Sequence, residues 1–270
     1  MTWLVWRQHR LQALCAALVL AGGIAALLSL GAAAHGLRLD GSASALTRLD
    51  GLRGRWFGLQ AAMLQLPALA GIFLGAPLFA RDLGRGTHRL ILTQGATRRR
   101  WIVVSLAWVL VPVLLGGLLL GLVAALSVWD LDEDGVWGSF ESVGVVAGGY
   151  LVLAVALGTA AGALIGRILP AMVVTWVAYG VVHPVVIGLR QAGYLLFGPL
   201  RVTTPGTFPI SPLPAHDWIV GQTVGTDHID WWYYPLDRFW TFQAVETAIL
   251  LALTAALLGL TVVFLRRRLA

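Results

Sequence analysis

The feature that most constrains this chain is a set of six long apolar runs, near 11–34, 57–80, 101–129, 143–166, 168–190 and 243–265. A bilayer is crossed by about 20 mainly apolar residues in a helix, and each run reaches that length. Only 12% of the 270 residues are charged, against about 25% in a soluble domain. The expectation is therefore an all-α membrane protein of six transmembrane helices, forming one domain over 1–270. The third run exceeds what one crossing needs, so it tilts, bends at Pro112 or protrudes. The first run has a rival reading as a signal peptide, because Arg7, His9 and Arg10 precede it and Ala32-Ala33-Ala34 resembles a cleavage site. Its apolar core is longer than the usual ~7–15 residues, and five more runs follow, which favours a span.

The basic residues decide several further questions. All 19 are arginine. A Walker A loop needs a lysine to reach the β- and γ-phosphates, so a standard P-loop ATPase is excluded. The net charge of +6 reads as membrane topology, because the arginines form no soluble basic face interleaved with aromatics, and nucleic acid is not an expected partner. The single cysteine, Cys15, excludes an internal disulfide and a cysteine metal cluster.

The positive-inside rule orients the runs. With both termini cytoplasmic, the inside holds Arg7, Arg10, the segment 81–100, Arg167 and Arg266–Arg268, which is twelve arginines against one acid, Asp82. The outside then holds seven arginines and most of the acids, including Asp130, Asp132, Glu133 and Asp134. Six spans with both ends inside fit this asymmetry.

The segment ARDLGRGTHRLILTQGATRRR at 80–100 carries six arginines. Topology needs only two or three charges there. The residues Arg81, Asp82, Arg85, Gly86, Thr87, His88, Arg89, Arg98, Arg99 and Arg100 are therefore candidates for binding a partner. A short helix through Arg85, His88 and Arg89 with Leu90, Ile91 and Leu92 on its other side would lie along the membrane surface. At the start, Trp3, Leu4, Val5 and Trp6 beside Arg7, Gln8, His9 and Arg10 suit an interfacial helix or an ordinary flank.

Other candidates lie within the spans. Gly158, Gly162 and Gly166 are four apart, which lines one helix face with small residues and lets another backbone approach; the competing explanation is an abundance of glycine, 32 in all. Tyr179, His183 and Glu246 are candidates for a substrate path, because ionisable groups within a span are functional candidates. The alternatives, both favoured, are a structural histidine and a Glu246 that caps the start of the last helix. The loop 191–242 is long, outside and rich in aromatics, so part of it should fold. Its aromatics are expected as an interfacial belt, with a lid over an exit path as the alternative. His216, Asp217, Asp227, His228 and Asp230 have no metal-ligand spacing, so no metal is expected.

Several stretches together resemble a known family. Trp-Arg-Gln-His-Arg at 6–10, Ala80–Leu90, Thr97–Trp101 and Arg238–Gln243, set in six spans, resemble the actinobacterial type of ABC-2 permease, over essentially the whole chain. The resemblance implies an N-terminal elbow helix at 2–10 and a coupling helix between spans two and three that docks on a separate ATP-binding subunit, with Asp82 standing where many members carry Glu. It further implies that ATP and Mg are held by that partner, that a second permease copy, alike or different, completes the pore, and that the chain is a multi-pass protein of the bacterial plasma membrane exporting a lipophilic or peptide-like substrate. Two other classes stay open: a stand-alone secondary transporter, against which few buried charges speak, and a sensor or immunity subunit using loop 191–242.

Overall fold

The computed structural model describes residues 2–85, 97–128, 131, 135–206, 213–214 and 216–268, and the side chains of all these except 2–9, 85, 98, 135 and 268. Helix α1 (Thr2–Asp40) turns at Gly41 into α2 (Ala43–Ala70). A π-helical turn, Gly71–Gly75, carries α2 directly into α3 (Ala76–Arg85). Helix α4 (Arg98–Val128), a short α5 (Gly135–Gly138), α6 (Val146–Ile165) and α7 (Ile168–Gln191) follow. Three strands, β1 (Leu200–Pro205), β2 (Trp218–Val224) and β3 (His228–Tyr234), precede the last helix, α8 (Phe239–Arg268). Among the described residues six helices are long and apolar enough to cross a membrane: Arg10–Asp40, Ala43–Gly84, Arg99–Val128, Val146–Ile165, Ile168–Gln191 and Leu236–Arg267. These are the six apolar runs, most of them lengthened, the fourth shortened to Val146–Ile165.

Two expectations change. The chain is not all-α. The long segment after α7 holds an antiparallel sheet of order β1-β3-β2, with Leu200 opposite Tyr233, Pro205 opposite His228, and Trp218 opposite Tyr234. Nor do residues 2–10 form a separate elbow. They are the first turns of α1, a continuous helix of 39 residues, about 58 Å at 1.5 Å per residue.

Local chemistry sets the helix ends. Ser42 caps α2, its Oγ accepting the Ala45 amide at 3.1 Å, beside Gly41 at φ +63°. Thr97 accepts the Arg100 amide at the start of α4. Gly166, at φ +67°, ends α6 in the left-handed conformation, and its amide bonds the Gly162 carbonyl. The chain restarts as α7 two residues later, so spans four and five form a tight hairpin.

Helix α6 is the centre of the bundle. Seventy-two per cent of its span is buried, against 6% for the span of α1. Its small residues allow that. A methyl on Gly158 would overlap the Gly71 carbonyl, and one on Gly162 the Ala76 carbonyl. From the facing helix, Gly71 and Gly75 lie equally close to the backbone of Ala154 and Val155. The glycine spacing thus marks contact with the π-helical turn and α3 within this same chain. Gly166 does both: it makes the turn at φ +67°, and its carbonyl lies so close to Gly84 of α3 that a methyl there would overlap it.

Candidate functional site

The two ends of α6 and α7 carry the residues that chemistry can use. At the end bearing the sheet, five parts of the chain converge: the segment after α5, α6, α7, the turn that follows α7, and α8. On α7, Tyr179, His183, Val186 and Arg190 recur at spacings of four, three and four, which places them on one face, and Tyr179, Val186 and Arg190 are buried. The Arg190 guanidinium bridges two carboxylates. Its Nη2 donates to Glu141 Oε1 at 2.5 Å and its Nη1 to Glu246 Oε1 at 3.3 Å. The same guanidinium lies 4.4 Å from the centre of the Phe140 ring.

The remaining acceptors are filled. His183 Nε2 lies 2.9 Å from Glu141 Oε2. Tyr150 donates to Glu246 Oε1 at 2.6 Å, and Tyr194 donates to Glu246 Oε2 at 2.5 Å. Tyr179 stacks on the His183 ring, and Tyr150 meets the same ring edge-on. Burial would push the Glu141 carboxyl up, but the His183 hydrogen bond and the Arg190 charge outweigh it and hold the group below its ordinary range. Burial, then the Glu246 charge, push the Tyr194 phenol up, so it is a standing donor.

The backbone is bent to make this. Gly193, Tyr194 and Leu195 are consecutive left-handed residues at φ +60°, +54° and +60°. For non-glycine residues that conformation costs about 1–3 kcal/mol each. It persists where surrounding contacts over-determine it, and the Tyr194 hydroxyl on Glu246 is such a contact.

A second set of bonds secures the site from α8. Gln243 is fully buried. Its Nε2 donates to the Phe140 and Val143 carbonyls at 3.0 and 3.1 Å, and its Oε1 accepts the Val146 amide at 3.0 Å. One side chain thereby closes the turn that leads into α6. Around it several of the aromatics form a packed cluster. Trp137 lies 5.2 Å from Trp218 and 5.3 Å from both Phe239 and Phe242, and Tyr234 lies 4.9 Å from Phe242. Of the aromatics in the RFWTFQ stretch, Trp240 stays largely exposed, at 63%, while Phe239 and Phe242 are buried. On the sheet, Asp230 accepts from Arg201 and Thr203.

Glu246 is therefore no helix cap. It stands in the third turn of α8 with no exposure, holding three donors. Tyr179, His183 and Glu246 belong to one cluster. Glu141, Tyr150, Arg190, Tyr194 and Gln243 are its members that the sequence did not single out. Tyr150 carried a usable signal, a polar group within an apolar run. Glu141 carried none, because only the turn at 139–145 brings it inward.

The opposite end is built differently. Arg81 and Asp82 lie in the second turn of α3, Asp82 buried and Arg81 half-buried. Arg85 ends α3, and Arg98, Arg99 and Arg100 open α4, with Arg99 and Arg100 exposed. Gly86, Thr87, His88 and Arg89, with the expected helix through Leu90–Leu92, lie outside the described residues, as do Asp130, Asp132, Glu133 and Asp134. The helical frame of this end is apolar: Leu78, Phe79, Trp101, Ile102, Leu106, Ala163 and Leu265 pack together, Phe79 meeting Trp101 edge-on at 5.2 Å.

The model of one protein family, described as ABC-2 membrane transporter related, matches residues 3–190. The match takes in the first five spans and ends at Arg190, before the sheet and the last helix. No curated protein and no solved structure matches the chain.

Proposed function

Because this chain belongs to the ABC-2 membrane transporter related family, we propose that it is the membrane subunit of an ABC exporter, moved by ATP hydrolysis on a separate subunit. A multi-pass permease of an ABC transporter is what the family and the six spans give. The export direction, the cargo and the engine are our reading. The basic end faces the cytoplasm of a bacterial cell, and the segment 81–100 takes the ATP-binding subunit, which holds ATP and Mg. A second permease copy, alike or different, completes the translocation path, and the substrate is lipophilic or peptide-like.

The observation that carries this reading is mechanical. The arginine-rich segment is attached at one side to α3, which runs without a break through the π-helical turn into α2. A push on α3 is delivered to a helix that touches α6 backbone to backbone at Gly71, Gly75, Gly158 and Gly162. π-Turns interrupt the regular hydrogen-bond ladder and recur at functional positions. Here the Phe73 carbonyl accepts from Gln12 Nε2 at 3.1 Å, which ties α1 to the same turn. Motion entering at α3 can thus reach spans one, two and four together.

The ion cluster at the sheet end favours one alternative, a carrier coupled to protons, since such carriers keep ionisable groups inside the membrane. Its donors and acceptors bond one another, however, so we assign it to latching the outer ends of spans four, five and six. The test is copurification from mild detergent. An ATP-binding subunit should accompany the chain, and Arg99→Glu with Arg100→Glu should lower the ATPase rate of the complex at least tenfold. Transport by the isolated chain in proteoliposomes, driven by a pH gradient alone, would overturn the proposal.

A further inference from the structure

At the end of the bundle opposite the sheet, a groove of about 350 Å³ lies beside the contact of α3 with the α6–α7 turn. Ala80, Arg81 and Gly84 form one wall, and residues 166–170 the other. Arg81 and Arg167 are its charged lining residues, and no Asp or Glu lines it. The Nε of Arg81 is shielded from solvent and has no hydrogen-bond partner among the described residues. An unmet buried donor is unfavourable. Three arginines at the other end are treated differently. Arg190 holds two carboxylates, Arg201 holds Asp230, and Arg238 donates to the Gly198 carbonyl. The groove thus presents positive charge that no carboxylate among the described residues lining it neutralises.

The rest of the lining is apolar, and it continues outward. Leu169 is 76% exposed, and Val173 and Trp176, one and two turns further along α7, are 61% and 63% exposed. Spacings of four and three put the three on one face. A charged pocket that opens onto an apolar strip running along a span fits a molecule with an anionic head and a hydrocarbon tail. A free anion would need no strip, and a soluble protein surface would leave the strip in contact with lipid in any case. Basic pockets between spans at the membrane surface are known to take acidic lipid headgroups.

We propose that this groove binds the phosphate of an anionic phospholipid between Arg81 and Arg167, with an acyl chain laid along Leu169, Val173 and Trp176. This goes beyond the permease reading and does not depend on it, because the site can be assayed in the isolated chain.

The experiment measures binding of dioctanoyl phosphatidylglycerol to the full-length chain in neutral detergent micelles, with dioctanoyl phosphatidylcholine and inorganic phosphate as comparisons. Phosphatidylglycerol should bind at least tenfold more tightly than either. Arg81→Gln and Arg167→Gln should each weaken it about fivefold, and Leu169→Ser should weaken it while leaving charge unchanged. Arg266→Gln, an exposed arginine at the same end, should change it less than twofold. Leu169 is exposed, so its replacement keeps the test informative if Arg81→Gln fails to fold. The proposal is overturned if phosphatidylcholine or inorganic phosphate binds as well as phosphatidylglycerol. It is equally overturned if Arg266→Gln matches Arg167→Gln, or if the arginine variants keep lipid affinity and lose an ATP-binding subunit instead.

Discussion

The two ends of the bundle use charge in opposite ways. At the sheet end, Arg190 is enclosed by Glu141 and Glu246, and each carboxylate oxygen has a donor. At the other end, Arg99 and Arg100 stand exposed and Arg81 and Arg167 line an open groove. Charge enclosed in a fold fixes geometry, and charge left on a surface is available to something else. One end is thus held in part by its own side chains, while the other leaves arginines exposed. Between them the contact is neither charged nor bulky: glycines set backbone against backbone along α6.

Breaking the enclosed end should have the largest effect. Arg190→Ala leaves two buried carboxylates facing each other, and removing one partner from a buried ion pair costs about 3–5 kcal/mol. Thermal unfolding in detergent should show the loss, whereas Arg99→Ala should stay within about 0.5 kcal/mol of wild type, as exposed substitutions do. Equal losses at the two positions would erase the contrast. Tyr194→Phe removes one hydrogen bond to a carboxylate, about 1.5–3 kcal/mol, and leaves the left-handed turn without the contact that holds it. Unfolding midpoints compared with those of Tyr233→Phe, on the sheet, would separate the latch from general aromatic packing.

Between the ends, Gly158→Ala drives a methyl into the Gly71 carbonyl and should cost about 1–3 kcal/mol, while Gly180→Ala, where nothing lies within reach, should cost no more than a few tenths. A harmless Gly158→Ala would mean that α6 and the π-helical turn do not meet closely. The smallest effect is that of pH. Glu141 is held below its ordinary value of 4.5, so the stability it contributes is full above that pH and is lost as pH falls through its lowered value. Melting curves from pH 7 to pH 3 should show a drop below about pH 4.5, and Glu141→Gln should flatten that drop.

How much of this the sequence disclosed depends on the range of the forces involved. The six spans were legible because each is a local property, a run of apolar side chains. Gly158 and Gly162 were legible as a face, but their neighbour, α3 and its π-helical turn, depends on how distant helices dock. His183, Tyr179 and Glu246 stood out as polar groups within apolar runs. Their partners did not: Glu141 and Arg190 sit at span boundaries, where a charge reads as topology. Tyr194 acts through a strained backbone that no residue pattern announces. The sheet was hidden for a related reason. Its strands are short, and β3 is a string of aromatics, His-Ile-Asp-Trp-Trp-Tyr-Tyr, whose bulk suits either a membrane interface or a strand.

The central claim is that the exposed arginine end lies in the cytoplasm, within reach of an engine, and the latched end outside. Labelling of single cysteines in intact cells with a membrane-impermeant maleimide, after Cys15→Ala, tests it directly. The account predicts that Thr223→Cys on β2, an exposed position, is labelled at once and that Arg99→Cys is labelled only after the membrane is opened. Labelling of Arg99→Cys in sealed cells, with Thr223→Cys protected, would contradict it.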